Sequence, residues 1–134
     1  MPLFIHYFRN AAASISYVTD GYLRVDWQPA PATPDELRAV YEHVLRAMQH
    51  HHTPHLMTVH RDRPPMPAEV QEWLAHEWIP RAVAEAGYRR CAIVEAENPL
   101  SRLAARATSS NLTVPLNYKF FDDPAEAVQW LQQA

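Results

Sequence analysis

The chain has 134 residues, 48% hydrophobic and 20% charged, with a formal net charge of −3. That is one domain of ordinary globular composition, with no basic excess to attract nucleic acid or an anionic membrane surface. One cysteine, Cys91, excludes an internal disulfide and a cysteine-based zinc site, and two glycines exclude a Walker A loop and a G-x-G-x-x-G dinucleotide fingerprint.

From the N-terminus, Leu3 to Phe8 reads as a first strand. It lacks the basic leader and long apolar run of a signal peptide. Ile15 to Val18 and Tyr22 to Trp27 flank Thr19-Asp20-Gly21, and Asp-Gly between apolar runs is a strong hairpin signal. Thr33-Pro34-Asp35-Glu36 then combines a cap, a proline at the first helical position and a capping-box glutamate. Leu37, Val40, Tyr41, Val44, Leu45 and Met48 follow at helical spacing.

Leu56 to Val59 is a short apolar run, expected as a buried central strand. Pro67 begins a second helix, whose stripe of Val70, Trp73, Leu74, Trp78, Ala82, Val83 and Ala86 ends at Gly87, and Pro80 should kink or break it. Cys91 to Val94 is another buried strand, and Asn98-Pro99 starts a third helix. Thr113 to Phe121 is expected as the sixth strand, with Pro115 favouring an edge or bulge, and Asp123-Pro124 starts a closing helix. The order β-β-β-α-β-α-β-α-β-α predicts an α/β fold. Its mixed sheet should have an N-terminal antiparallel hairpin, parallel central strands and about four helices packed on it, in a single domain over 1–134.

Several segments resemble the SpoIIAA-like fold of STAS and CRAL-TRIO-like domains, and in particular small bacterial STAS-like proteins of unknown function. They are Tyr22-Leu-Arg-Val-Asp-Trp27, Gln71-Glu-Trp-Leu-Ala-His-Glu-Trp-Ile-Pro80, Tyr88-Arg-Arg-Cys-Ala-Ile-Val94, Leu100-Ser-Arg-Leu-Ala-Ala105 and Phe120-Phe-Asp-Asp-Pro-Ala-Glu-Ala-Val-Gln-Trp-Leu131. The resemblance covers about residues 15–132. It implies a cytoplasmic, non-catalytic binding or regulatory module that acts through a protein partner or as a homodimer. The best understood relatives are switched by phosphorylation of a serine in the loop after a central strand. Here that loop, His60 to Pro67, has no serine or threonine, so such a switch is not expected.

Five of the eight histidines fall between His50 and His60. His51, His52 and His55 form an alternative metal site, but neighbouring helical residues diverge by about 100°. Imidazoles closing a helix are already favoured by its dipole. His60 differs, because it ends a buried strand at the edge where open α/β sheets place ligands. His60, Arg61, Arg63, Asn98, Ser101 and Arg102 are therefore the candidate residues for a small ligand or anion, the alternative function being a ligand-binding protein or an uncharacterised enzyme that uses this pocket. The competing expectation is that Arg61, Asp62, Glu95 and Arg102 form a solvated ion-pair cluster. No nucleophile elbow, paired catalytic carboxylates or cofactor motif is present, and no run of about 18 apolar residues could span a membrane. No catalytic residue and no cofactor is expected.

Overall fold

The computed structural model describes residues 2–133. Six strands form one sheet in chain order: β1 (Phe4–Arg9), β2 (Ala13–Val18), β3 (Tyr22–Trp27), β4 (His55–Val59), β5 (Arg90–Val94) and β6 (Asn117–Phe121). β1, β2 and β3 are antiparallel neighbours, whereas β3, β4, β5 and β6 run parallel. The hairpin closes as Asp20-Gly21 foretells, with Gly21 at φ 103°, a conformation glycine adopts without penalty.

The helices are α1 (Pro34–His51), α2 (Ala68–Trp73), α3 (Ile79–Ala86), α4 (Pro99–Ser110) and α5 (Pro124–Gln132). Thr33 and Glu36 form the reciprocal capping box at α1, and the side chains of Asn98 and Asp123 cap α4 and α5. Between α2 and α3 the chain makes a π-helical turn over Leu74–Trp78 instead of a plain kink. Pro80 has no N–H to give to the preceding turn, and a wider turn beforehand accommodates its ring. β6 is shorter than the expected Thr113–Phe121 span and excludes Pro115, since proline cannot donate to the ladder.

The chain takes three parallel steps in one direction along the sheet, and the right-handed rule for such connections places all three on one face. That face holds the larger core, in which Ile15, Leu23, Val25 and Leu56 of the strands meet Val40, Val44, Met48, Val70 and Trp78 of the helices. α5 follows the last strand, free of that constraint. It covers the other face, where Ala127 and Leu131 pack on Met57, Val59, Ala92, Val94 and Phe121. Of the connecting helices α1 lies close on the strands, whereas α4 has α2 and the π-helical turn as its close neighbours and stands away from the sheet. The space so created is the site considered next.

Candidate functional site

The segment after β4 reads His60-Arg61-Asp62-Arg63-Pro64-Pro65. The Arg63 N–H donates to the His60 carbonyl at 2.5 Å, closing a four-residue turn that leaves Arg61 and Asp62 exposed at its tip. Two prolines then fix the outgoing chain, and Pro64 restricts Arg63 to extended backbone. The Ser101 hydroxyl donates to the Arg63 carbonyl at 2.5 Å, tying the turn to α4. His60 N–H donates to Val94 O at 2.9 Å, and Glu97 N–H to Arg61 O at 3.0 Å, so the exits of β4 and β5 are held together. Arg63 and His60 are thereby turned inward, only 5% and 6% exposed.

A chain of polar contacts connects them to the sheet. Trp27 Nε1–H donates to Thr58 Oγ1 at 2.7 Å, and Thr58 Oγ1 lies 3.0 Å from His60 Nε2. His60 Nε2 is also 3.3 Å from an Arg63 terminal nitrogen. A guanidinium only donates, so Nε2 must accept, and the Thr58 hydroxyl hydrogen is then free to point at the same nitrogen. The imidazole is therefore neutral, with its proton on Nδ1. Burial, and secondarily the Arg63 charge, hold its pKa well below the ordinary 6.5.

Arg63 lies over the Trp27 ring, its guanidinium carbon 3.6 Å from the ring centroid. Its other terminal nitrogen contacts Tyr41 Oη and Met66 Sδ, each at 3.3 Å. Among the described residues, Arg24, Arg38, Arg81, Arg102 and Arg106 each pair with a carboxylate; Arg63 has none within ion-pair distance. Burying an ion costs several kcal/mol, against about 2 kcal/mol recovered from a desolvated cation–π contact. Its hydrogen bonds are longer than charge-assisted bonds of about 2.8 Å. Arg63, the one buried arginine among the described residues, thus has no counter-charge.

Beside this cation, between the sheet and α4, lies a cavity in which the centre of a water-sized sphere can range over about 70 Å³. At about 10–15 Å³ for one water centre, that is room for a small organic body. Val25, Leu56, Cys91 and Ile93 form its floor, Ala104 and Thr108 of α4 its roof, and Trp78, Tyr88 and Leu112 its sides. Trp27, Arg63, Pro64 and Met66 also border a second hollow, shared with Leu37 and Pro65. The stacked Trp27–Arg63 pair is the partition between the two.

Of the six candidate residues, His60, Arg63 and Ser101 meet at the cavity. Arg61 is exposed, and Asn98 is occupied as the cap of α4, accepting from Leu100 N–H at 2.8 Å. Arg102 donates to Glu95 at 3.0 Å, as does Arg106 at 2.8 Å. Of the solvated cluster expected from Arg61, Asp62, Glu95 and Arg102, only Glu95 and Arg102 pair, joined by Arg106, and the Glu95 side chain is buried at 5% exposure. The cavity also extends from the strand ends to the middle of the sheet face. Trp27, Tyr41, Thr58 and Met66 complete the arginine's surroundings. The one sequence signal for them is Thr58, a hydroxyl within the apolar run Leu56-Met57-Thr58-Val59.

Of the other histidines, His43 and His51 are packing groups. His43 stacks on Phe8 with centroids 3.8 Å apart, and His51 on Tyr17 at 4.2 Å. The β1–β2 register shifts between His6 and Phe8, and such a bulge lets the consecutive Tyr7 and Phe8 both reach α1. His52 is exposed at the left-handed end of α1, while His55 lies on β4. Among the described residues no three His, Cys, Asp or Glu side chains are grouped to hold a metal ion, and no helix is long and apolar enough to cross a membrane. Comparison with family models, with curated proteins and with solved structures gave no match.

Proposed function

We propose that this chain is a non-catalytic, cytoplasmic binding domain of the SpoIIAA-like, STAS-like kind. Its ligand is a small molecule held between the sheet and α4. The carrying observation is the apolar cavity that ends at a buried, carboxylate-free Arg63. The mixed sheet with its antiparallel start supports the likeness to that fold.

The chemistry around the cavity supports binding over catalysis. Burial pushes the Cys91 thiol up to about 11, far from a thiolate at neutral pH. The Ser101, Thr108 and Ser109 hydroxyls each donate to a backbone carbonyl. Burial and the adjacent Arg63 charge hold His60 well below its ordinary pKa, which makes it a weak proton acceptor and a poor general base at neutral pH.

A thermal-shift screen of small molecules tests the proposal, with Ala104→Trp filling the cavity from α4. Compounds that raise the melting temperature of the wild type should lose that effect in the variant. An absence of stabilising compounds, or stabilisation that survives Ala104→Trp, overturns it.

A second reading, a protein partner in the form of another copy of this chain, rests on β1. This edge strand carries Phe4 and Ile5, which with the preceding Leu3 are 55%, 45% and 66% exposed, and an apolar edge ahead of the bulge favours strand pairing between copies. Light scattering on wild type and Phe4→Lys tests it: a dimer abolished by the charge supports it, and a wild-type monomer disposes of it.

A further inference from the structure

We infer that the cavity takes a monocarboxylate with a compact apolar body, such as an aryl-acetic or branched aliphatic acid. The carboxylate would sit on Arg63 and Tyr41. This rests on the proposal that the cavity binds a small molecule, and it specifies the chemistry of that molecule.

The first argument is an inventory of donors and acceptors. No Asp, Glu, Asn or Gln lines the cavity. The lining hydroxyls of Ser101, Thr108 and Ser109 spend their hydrogens on backbone carbonyls. Of the donors left, two stand together at the buried cation. Arg63 is one. Tyr41 is the second, because its oxygen accepts from Arg63 and its own O–H remains available. Behind them Trp78 is 1% exposed, its buried Nε1 has no hydrogen-bond partner, and its ring lies 5.1 Å from that of Tyr41. A lining with spare donors and a cation needs a ligand that accepts and carries negative charge.

The second argument is charge count. Arg63 is the one cationic side chain in the lining, while Arg102 and Arg106 are held by Glu95 outside it. A phosphate would bring close to two charges and leave one uncompensated in an apolar enclosure. A carboxylate brings one, and its two oxygens match the planar guanidinium fork. The contact it would displace is that of Arg63 with the Met66 sulfur, a weak acceptor.

The third argument is shape. Beyond the cation the walls are Val25, Leu56, Ile93, Leu112, Trp78 and Tyr88, with space for a ring or a branched chain but not for a long one.

Titration calorimetry of the wild-type chain at pH 7.5 with phenylacetate and 4-methylpentanoate, each beside its neutral amide, and with inorganic phosphate, tests the inference. The acids should bind roughly tenfold or more tightly than the amides, and phosphate should not compete. In Arg63→Met, acid and amide should bind equally. Amides as tight as acids in the wild type would overturn the carboxylate assignment while leaving the cavity proposal standing. Competition by phosphate would overturn the single-charge argument alone. Failure of acids and amides alike would overturn both. The acid–amide comparison needs no variant, so a poorly folding Arg63→Met would not obscure it.

Discussion

The indole N–H of Trp27, at the end of β3, donates to the Thr58 hydroxyl of β4 at 2.7 Å, and both groups are buried. The same hydroxyl contacts His60 Nε2, so one side chain serves two partners. Thr58→Val keeps the shape but leaves the indole donor without an acceptor. The expected loss is about 1–3 kcal/mol of unfolding free energy, read by urea denaturation. Thr58→Ser keeps the hydroxyl and should lose less. Equal losses in the two variants would mean that packing, not the hydroxyl, matters at this position.

Arg63 gives the opposite expectation. Replacing a buried charge with an apolar side chain of similar volume is often neutral or stabilising, because the desolvation penalty goes with it. Arg63→Met should therefore change stability by no more than about 1 kcal/mol in either direction. Its sulfur can keep a favourable contact with the Trp27 ring. The larger Arg63→Ala truncation adds a void and should be destabilising. If Arg63→Met cost about 3 kcal/mol or more by denaturation, the guanidinium would be holding the fold, and a ligand would not be needed to explain it.

Stability should fall on acidification. His60 titrates well below 6.5 when folded, whereas in the unfolded chain it binds a proton near the ordinary value of 6.5. Below that pH the unfolded state holds the extra proton, so acid favours unfolding, with stability intact above about 6.5. The slope from this one group approaches 1.36 kcal/mol per pH unit until its folded pKa is reached. His43, His51 and His55 are shifted in the same direction, mainly by burial, and add to it. His60→Gln should flatten the profile between pH 6.5 and the folded pKa, measured by denaturation at a series of pH values. An unchanged slope would place the titration elsewhere.

The elements of this fold were legible because their signals are local. Thr33-Pro34-Asp35-Glu36, Asp20-Gly21 and Asn98-Pro99 each fix their own neighbourhood, and the structure places a cap, a turn and a cap there. The site was only half legible. His60, Arg63 and Ser101 could be named from their position after strands, because the carboxyl ends of parallel strands converge. Trp27 and Tyr41 could not, since an aromatic on an apolar stripe looks the same whether it meets leucine or a guanidinium. Which arginine turns inward depends on one turn, on Pro64, and on Ser101 gripping the Arg63 carbonyl 38 positions away in sequence. The π-helical turn was likewise hidden, because Pro80 signals a disruption but not how the neighbouring backbone absorbs it.

The histidine run leaves a prediction of its own at His52. This residue ends α1 at φ 53°, ψ 45°, with its N–H donating to Met48 O, and it is the one non-glycine residue with positive φ among those described. Gly87 occupies the matching place at the end of α3, at φ 68°. A side chain in the left-handed region costs roughly 1–2 kcal/mol, which glycine avoids while giving back part of the gain as unfolded-chain entropy. The His52 side chain is exposed, so no packing is lost on its removal. His52→Gly should therefore stabilise the protein by about 0.5–1 kcal/mol, and His52→Ala, which keeps the strain, should not. A metal site at His51, His52 and His55 predicts something different: His52→Gly would then lose stabilisation by added zinc. Melting curves of the three proteins with and without zinc separate the cases. A wild-type shift with zinc that His52→Gly removes would restore the metal assignment, whereas a zinc-independent rise in His52→Gly alone fixes this histidine as a strained helix end.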